Sequence, residues 1–285
     1  MKLFAWGLSD VGRKRDHNED SFLVAPKLGL YAVADGMGGH QAGEMASRMA
    51  VEIVEKDVEA AHAEGAFDEG EGGAGRAIRA SAQHAGAAIY DAAQADPEKS
   101  GMGTTLTAML VHKGRAFVAH VGDSRCYLYR DGRCQQLTED HSWVGEQVRA
   151  GLLSEEEAKE SKFKHVITRS VGFEREVLVD GNAVTVQPGD CFILCSDGLS
   201  NYLEGPELAQ VMTANFYRAV PSLLVEIANQ RGGDDNITVV LVHAANDVAG
   251  EEPAARLGGA AERAPEVGSD GAGAAAEKPP LDEKA

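Results

Sequence analysis

An α+β fold organised on antiparallel strands is the class that the 285-residue sequence predicts, on three observations. The β-rich runs Thr104–Val111, Ala116–Val121 and Cys126–Arg130 follow one another closely, divided only by Lys113-Gly114 and Gly122-Asp123. That spacing suits hairpins and not parallel β-α-β units. Asp131-Gly132, directly after the third run, is a two-residue hairpin signal. The two longest amphipathic helical patterns lie together ahead of these runs instead of alternating with single strands.

In chain order, Phe4 to Leu8 reads as a first strand and Ser21 to Val24 as a second, separated by the polar cluster 13–20. Residues 28–35 form an apolar run long enough for a buried strand, ending on Asp35 and a turn of glycines at 36, 38 and 39. Ala42, Met45, Ala46, Met49, Ala50, Ile53 and Val54 recur at intervals of three and four, the stripe of a helix that ends before Ala61. The acidic, Gly- and Ala-rich stretch Ala61 to Gly75 is expected to be a solvated connection. Ala77, Ile78, Ser81, Ala82, Ala85, Ile89 and Ala92 predict a second helix that stops before Pro97. Residues 139–165 are a charged excursion with helical pieces at 142–150 and 154–161, the latter opened by a Ser154/Glu157 capping box. A polar excursion between strands predicts a flap over a site. Val184–Val186 and Cys191–Cys195 return to strand, Pro206–Met212 and Ala219–Gln230 are helical, and Ile237–Val242 is the last strand.

From Asn246 onward only Val248, Leu257, Val267 and Leu281 are large and apolar. Residues 1–245 are therefore expected to be the folded domain, and 246–285 a disordered acidic tail. The chain carries 27 basic and 45 acidic residues, a formal charge of −18; nine acids and four bases place −5 on 246–285 and leave −13 on the rest. That balance argues against nucleic-acid binding through a basic face and against anionic membranes. No run approaches a membrane span, and the interrupted patch Leu3–Leu8 is too short for a secretion signal, so a cytoplasmic protein is expected. Cys191 and Cys195 read as buried small hydrophobes, and in the Asp131-Gly132 hairpin register Cys126 faces Leu137 and not Cys134, so no disulfide is expected.

Three strand runs finish on an aspartate: Asp35, Asp123 after Gly122, and Asp197 after Ser196. Asp234-Asp235 stand just before the last strand, and Glu19-Asp20 just before the second. Bringing such acids together costs several kcal/mol of repulsion, or forces some to stay protonated, unless they bind something. All-oxygen ligands suit Mg²⁺ or Mn²⁺ better than zinc. Arg15, leading into this region, is a candidate for holding a pair of anionic oxygens. Other schemes lack their residues: no cysteine is followed six positions later by arginine, and neither a Walker loop, a complete Gly-x-Gly-x-x-Gly nor a Gly-x-Ser-x-Gly occurs. Metal-assisted hydrolysis remains.

Taken in order, Arg15-x-x-Asn18-Glu19-Asp20, Asp35-Gly-Met-Gly-Gly-His40, Gly103-Thr-Thr105, Gly122-Asp-Ser-Arg125, Thr168-Arg169, Ser196-Asp-Gly-Leu199 and Asp235-Asn-Ile-Thr238 resemble the motifs of the metal-dependent serine/threonine protein phosphatases of type 2C, in their bacterial form, over residues 3 to about 243. The resemblance implies a four-layer α-β-β-α sandwich with a Mg²⁺ or Mn²⁺ cluster at one end. It implies that Asp35 bridges two ions, that the Gly36 carbonyl binds one of them, and that Asp197 and Asp235 bind the other. Asp20 and Glu19 are then expected to reach that site directly or through water, Asp123 with Asp197 to form a looser third site, and Arg15 to hold the substrate phosphate. In this scheme a hydroxide shared by the two ions attacks phosphorus in line, with no covalent intermediate. Eukaryotic members carry a histidine directly after the Asp-Gly pair, where this chain has Met37, and His40 is the candidate substitute as leaving-group acid. Of the other histidines, His165 is the one with a possible place near substrate or the third ion. The implied partners are phosphoserine and phosphothreonine proteins, including a serine/threonine kinase, and a monomer is expected. Two alternatives are a phosphoprotein-binding scaffold without turnover and a hydrolase of small phosphate esters.

Overall fold

The protein is described by a computed structural model covering residues 1–246 apart from Glu71, and the His40 side chain is also outside the description. The expected tail, 246–285, lies outside the described residues from 247 onward. In chain order the elements are β1 (Lys2–Asp10), β2 (Asp20–Ala25), β3 (Leu30–Met37), α1 (His40–Ala63), α2 (Gly73–Ala95), β4 (Gly103–Thr104), β5 (Leu106–His112), β6 (Arg115–Val121) and β7 (Arg125–Arg130). There follow β8 (Arg133–Gln136), α3 (Trp143–Arg149), α4 (Glu155–Glu160), β9 (Asp180–Thr185), β10 (Cys191–Cys195), α5 (Asp197–Ser200), α6 (Gly205–Ala214), α7 (Val220–Gln230) and β11 (Ile237–Ala245).

Two antiparallel sheets result, ordered β1-β11-β10-β7-β8 and β2-β3-β5-β6-β9, with β4 paired to β3. The period-two side-chain alternation of strands assigns residues to layers. Tyr31 and Val33 of β3 meet Phe192 and Leu194 of β10 and Val240 of β11 between the sheets. On the opposite face of β3, Leu30, Ala32 and Ala34 pack against Ala46, Ala50 and Val54 of α1 and Ile78 and Ile89 of α2. On the outer face of the other sheet, Ile193, Val239 and Leu241 pack against Leu208 and Met212 of α6 and Leu224 of α7. The architecture is the α-β-β-α sandwich.

Three expectations are corrected in detail. The stretch 61–75 is not merely solvated: α1 runs to Ala63, and Phe67, 5 % exposed, is held between the rings of His62 and His112 at 4.9 and 5.2 Å. The single run 104–111 breaks at Thr105, whose hydroxyl and amide are engaged with Asp35 instead of a straight ladder. The strand expected at 184–186 begins at Asp180, where alternation among small residues hides it. The hairpin register is as expected, with the Leu137 amide donating to the Cys126 carbonyl at 2.7 Å, and all four cysteines are free thiols. The Ser154/Glu157 capping box is formed in both directions. Among the described residues no helix is long and apolar enough to cross a membrane.

Candidate metal centre

Antiparallel pairing brings the C-terminal ends of β3, β6 and β10 and the N-terminal ends of β2 and β11 to one rim of the sandwich. Asp20 stands directly opposite Asp35 in the β2–β3 register. Asp35 is buried among the charges of Asp20, Asp197, Asp123 and Asp235, and burial followed by these repulsions holds its pKa well above the usual carboxylate range. Burial, then the Asp235 charge, also raises Asp197, and burial with the charges of Asp197 and Asp140 raises Asp123. The neighbouring Asp35 carboxyl acts against the rise at Asp197, favouring its charged form. Five aspartates spread over more than two hundred positions thus form one mutually repelling cluster, the arrangement that like charges adopt only for a reason.

Asp20 ties the two sheets together at this rim. Its Oδ2 accepts from Ser196 Oγ at 2.8 Å, just past the end of β10, and from Thr238 Oγ1 at 2.6 Å, in β11 of the opposite sheet. Thr238 is in turn 2.7 Å from Ser9 Oγ, which accepts from Asn18 Nδ2 at 2.8 Å. These donors favour the charged form, yet burial outweighs them and the pKa of Asp20 is pushed up to about 7. Asp35 is held by its main chain: its amide donates to Thr105 Oγ1 and its carbonyl accepts from Thr104 Oγ1 and the Thr105 amide, all at 2.9 Å. The Gly36 amide donates to the Glu19 carbonyl at 3.2 Å. A Cβ at Gly36 would collide with the carbonyls of Gly43 and Glu19, and one at Gly43 with the Glu19 carboxylate, so α1 starts close over Glu19 only because both positions are glycine. Asn236 fixes the loop that carries Arg15: its Oδ1 accepts from the Glu19 amide, and its Nδ2 donates to the Val11 and His17 carbonyls. Arg15 Nη2 donates to Asp235 Oδ2 at 2.7 Å.

The residues fit hard divalent cations. Asp20 Oδ1, Asp123 Oδ1 and Asp197 Oδ1 are buried carboxylate oxygens with no hydrogen-bond partner. Each such orphan costs about 1–3 kcal/mol, more when charged, and a cation relieves the desolvation and the repulsion together. The donor set is all oxygen, as Mg²⁺ and Mn²⁺ prefer. Among the described residues no three His, Cys, Asp or Glu side chains already enclose one point as ligands. Asp235 is paired with Arg15 instead. The His40 side chain, expected as the acid, lies outside the described residues; the residue itself opens α1. His165 is exposed on the flap.

The sequence reading missed the clamp behind Asp123. The Gly122 amide donates to His141 Nδ1 at 3.0 Å, so the proton on Nε2 faces Asp180 at 3.0 Å, and Arg169 Nη1 donates to the same carboxylate at 2.7 Å. The His120 ring lies 4.7 Å from that of His141, and burial lowers its pKa to about 4. Arg125 holds Asp140 through Nε at 2.9 and 3.0 Å and through Nη2 at 2.6 Å. The flap base is thereby bolted to the turn that carries Asp123. Gly122-Asp-Ser-Arg125 and Thr168-Arg169 were legible as motifs; His141 and Asp180, isolated in sequence, gave no signal.

Comparison with known proteins adds four findings. The profile of the family described as Protein phosphatase 2C matches residues 12–232. A serine/threonine phosphatase stp of Listeria welshimeri is 38 % identical over 238 residues, covering 82 % of this chain and 93 % of the relative. The crystal structure of the Mycobacterium tuberculosis serine/threonine phosphatase PstP/Ppp superposes with a TM-score of 0.77 at 33 % identity, covering 86 % of this chain and all of the other; a structure of the PstP catalytic domain with two manganese ions superposes at 0.75, with 34 % identity and covering 86 % and 99 %.

Proposed function

Because this chain belongs to the protein phosphatase 2C family, we propose that it hydrolyses phosphoserine and phosphothreonine in proteins, with Mn²⁺ or Mg²⁺ as cofactor. One observation carries the reading: Asp35 is surrounded by the charges of Asp20, Asp197, Asp123 and Asp235 at a single rim. The names of the relatives and the manganese of the PstP structure support it.

Asp35, Asp197, Asp235 and the Gly36 carbonyl would hold two ions, with Glu19 and Asp20 beside them and Asp123 with Asp197 at a third position. When bound, such ions supply Lewis-acid charge and an activated water for attack on phosphorus. The chain's own residues do the rest. Arg15 leaves Asp235 for the phosphoryl oxygens, where its planar fork can bind two at once. Ser196 and Thr238 fix the Asp20 carboxylate, and Thr104 and Thr105 the main chain of Asp35, so that little reorganisation accompanies the reaction. His40, at the start of α1, delivers a proton to the leaving serine or threonine oxygen. All the residues assigned to the site come from one chain, so a monomer is proposed, and the free thiols suit a reducing cytoplasm. A serine/threonine kinase is the partner whose product this chemistry consumes.

Turnover of a phosphothreonine peptide and of p-nitrophenyl phosphate, each with Mn²⁺ and with chelator, tests the proposal. Metal-dependent release from the peptide is expected. No release from either substrate would favour a scaffold, and release from the small ester alone would favour a small-ester hydrolase. Arg15→Ala is expected to raise KM for the peptide about tenfold with a smaller loss in kcat, and Arg15→Lys, which keeps charge but not the fork, to restore only part of it.

A further inference from the structure

The turn that carries Asp123 is gripped from two sides. Asp123 Oδ1 is buried with no hydrogen-bond partner, so the turn itself largely sets where the carboxylate stands. On one side is Thr105, which also serves Asp35: its hydroxyl accepts from the Asp35 amide at 2.9 Å and lies 2.7 Å from Ser124 Oγ. Gly122 rests on the same residue with φ +111°, and a Cβ there would meet Thr105 Cβ and Cγ2 at 2.6 Å. On the other side is His141, buried at the base of the flap. Its amide donates to the Gly122 carbonyl at 2.7 Å, and its Nδ1 accepts from the Gly122 amide at 3.0 Å. Both main-chain groups of Gly122 are therefore engaged by one residue.

The side-chain half of that grip exists in one tautomer only. Nδ1 must carry no proton to accept from Gly122, so the ring proton is on Nε2, which donates to Asp180 Oδ2 at 3.0 Å. Asp180 is placed by its position opposite His120 in the β6–β9 register, and its Oδ1 accepts from Arg169 Nη1 at 2.7 Å. The same Nη1 lies 3.1 Å from His141 Nε2, and a cation so close opposes a second proton on the ring. Both ends of the flap converge here as well. The Thr168 amide donates to the His141 carbonyl at 2.8 Å, and Ser142 pairs with Ile167 in an antiparallel bridge.

We propose that His141 is a positioning residue for an ion held at Asp123: its Nδ1, oriented by Asp180 and Arg169, fixes the Gly122–Ser124 turn and so ties the affinity of that ion to the seating of the flap. The proposal rests on the reading above in which Asp123 holds a cation. His141 bonds to Gly122 and not to the carboxylate, so its effect on the ion passes through the turn. Partners of this indirect kind commonly change metal affinity by about ten- to a hundredfold when removed.

The test is calorimetric Mn²⁺ titration of the chelator-stripped protein, as wild type, Asp123→Asn, His141→Leu, His141→Asn, Asp180→Ala and the combinations of Asp123→Asn with His141→Leu and with Asp180→Ala. Turnover of a phosphothreonine peptide is followed against Mn²⁺ concentration in parallel. Asp123→Asn is expected to remove one Mn²⁺ step, and His141→Leu to weaken that step alone by about tenfold, with the Mn²⁺ needed for half-maximal turnover rising by the same factor. In the Asp123→Asn background His141→Leu should change Mn²⁺ binding no further, because it has lost the group through which it acts. His141→Asn, whose Oδ1 can take the place of Nδ1 as acceptor, should restore most of the loss, and Asp180→Ala should cost about threefold. Unchanged Mn²⁺ binding in His141→Leu, an equal loss with and without the Asp123 carboxylate, or no step sensitive to Asp123→Asn would overturn the proposal. If His141→Leu does not fold, Asp180→Ala decides in the same way, since its loss must also vanish in the Asp123→Asn background. The expected Mn²⁺ pattern without peptide turnover in any arm would support the positioning role and overturn the phosphatase reading.

Discussion

Asp35→Asn is expected to abolish phosphopeptide hydrolysis, with kcat/KM falling at least about a thousandfold, and to leave the protein folded. The amide matches the carboxylate in shape, and the Thr104 and Thr105 bonds to the Asp35 main chain survive the change. What is lost is negative charge at the centre of the cluster, where Asp20, Asp197, Asp123 and Asp235 all act on Asp35. The same loss removes repulsion, so metal-free Asp35→Asn should unfold at a temperature equal to or above that of metal-free wild type. This sign separates a functional acid from a structural one, because truncating a structural acid lowers stability. Near-normal turnover by the folded variant would refute the central role of Asp35.

The second large effect is on the pH dependence of stability. Asp20 has a folded-state value of about 7, against an ordinary 3.8, because burial penalises its charge. A carboxyl raised in this way binds its proton more tightly folded than unfolded. Its contribution is fully present below about pH 4 and disappears as pH rises through about 7. Asp35, Asp123 and Asp197 are shifted in the same direction and extend the trend. In the presence of chelator, thermal unfolding should therefore show stability falling by several kcal/mol from pH 5 to pH 8 through this cluster. Mn²⁺ should reverse the slope, since a cation binds the deprotonated acids and stabilises the folded form in proportion to its affinity. A chelated protein whose stability is flat or rises over this range, with no added effect of Mn²⁺, would contradict the account.

Much of the sandwich was legible because its buried layers impose simple periods. The stripe Ala42, Ala46, Ala50 and Val54 marks α1, and the hairpin signal at Asp131-Gly132 sets the β7–β8 register. The break at Thr105 was not legible, because it serves Asp35 and not the ladder. Phe67 was hidden in polar surroundings whose partner rings, His62 and His112, come from elements fifty residues apart. At the rim, an apolar run ending on an acid was enough to nominate Asp35, Asp123 and Asp197. The partners of Asp20 were not nominated: Ser196 and Thr238 stood in the quoted motifs, but only the closure of one sheet on the other brings both hydroxyls to a single oxygen. His141 was read as an ordinary histidine, since its role depends on the Gly122 amide nineteen residues away.

Calorimetric titration of the metal-free protein with Mn²⁺ at pH 7, in two buffers of different ionisation heat, is the most direct test of a rim built to exchange protons for cations. The account predicts saturable binding with release of about one proton or more per protein, lost in Asp35→Asn. Absence of saturable binding, or binding of equal strength and without proton release in wild type and variant, would contradict it.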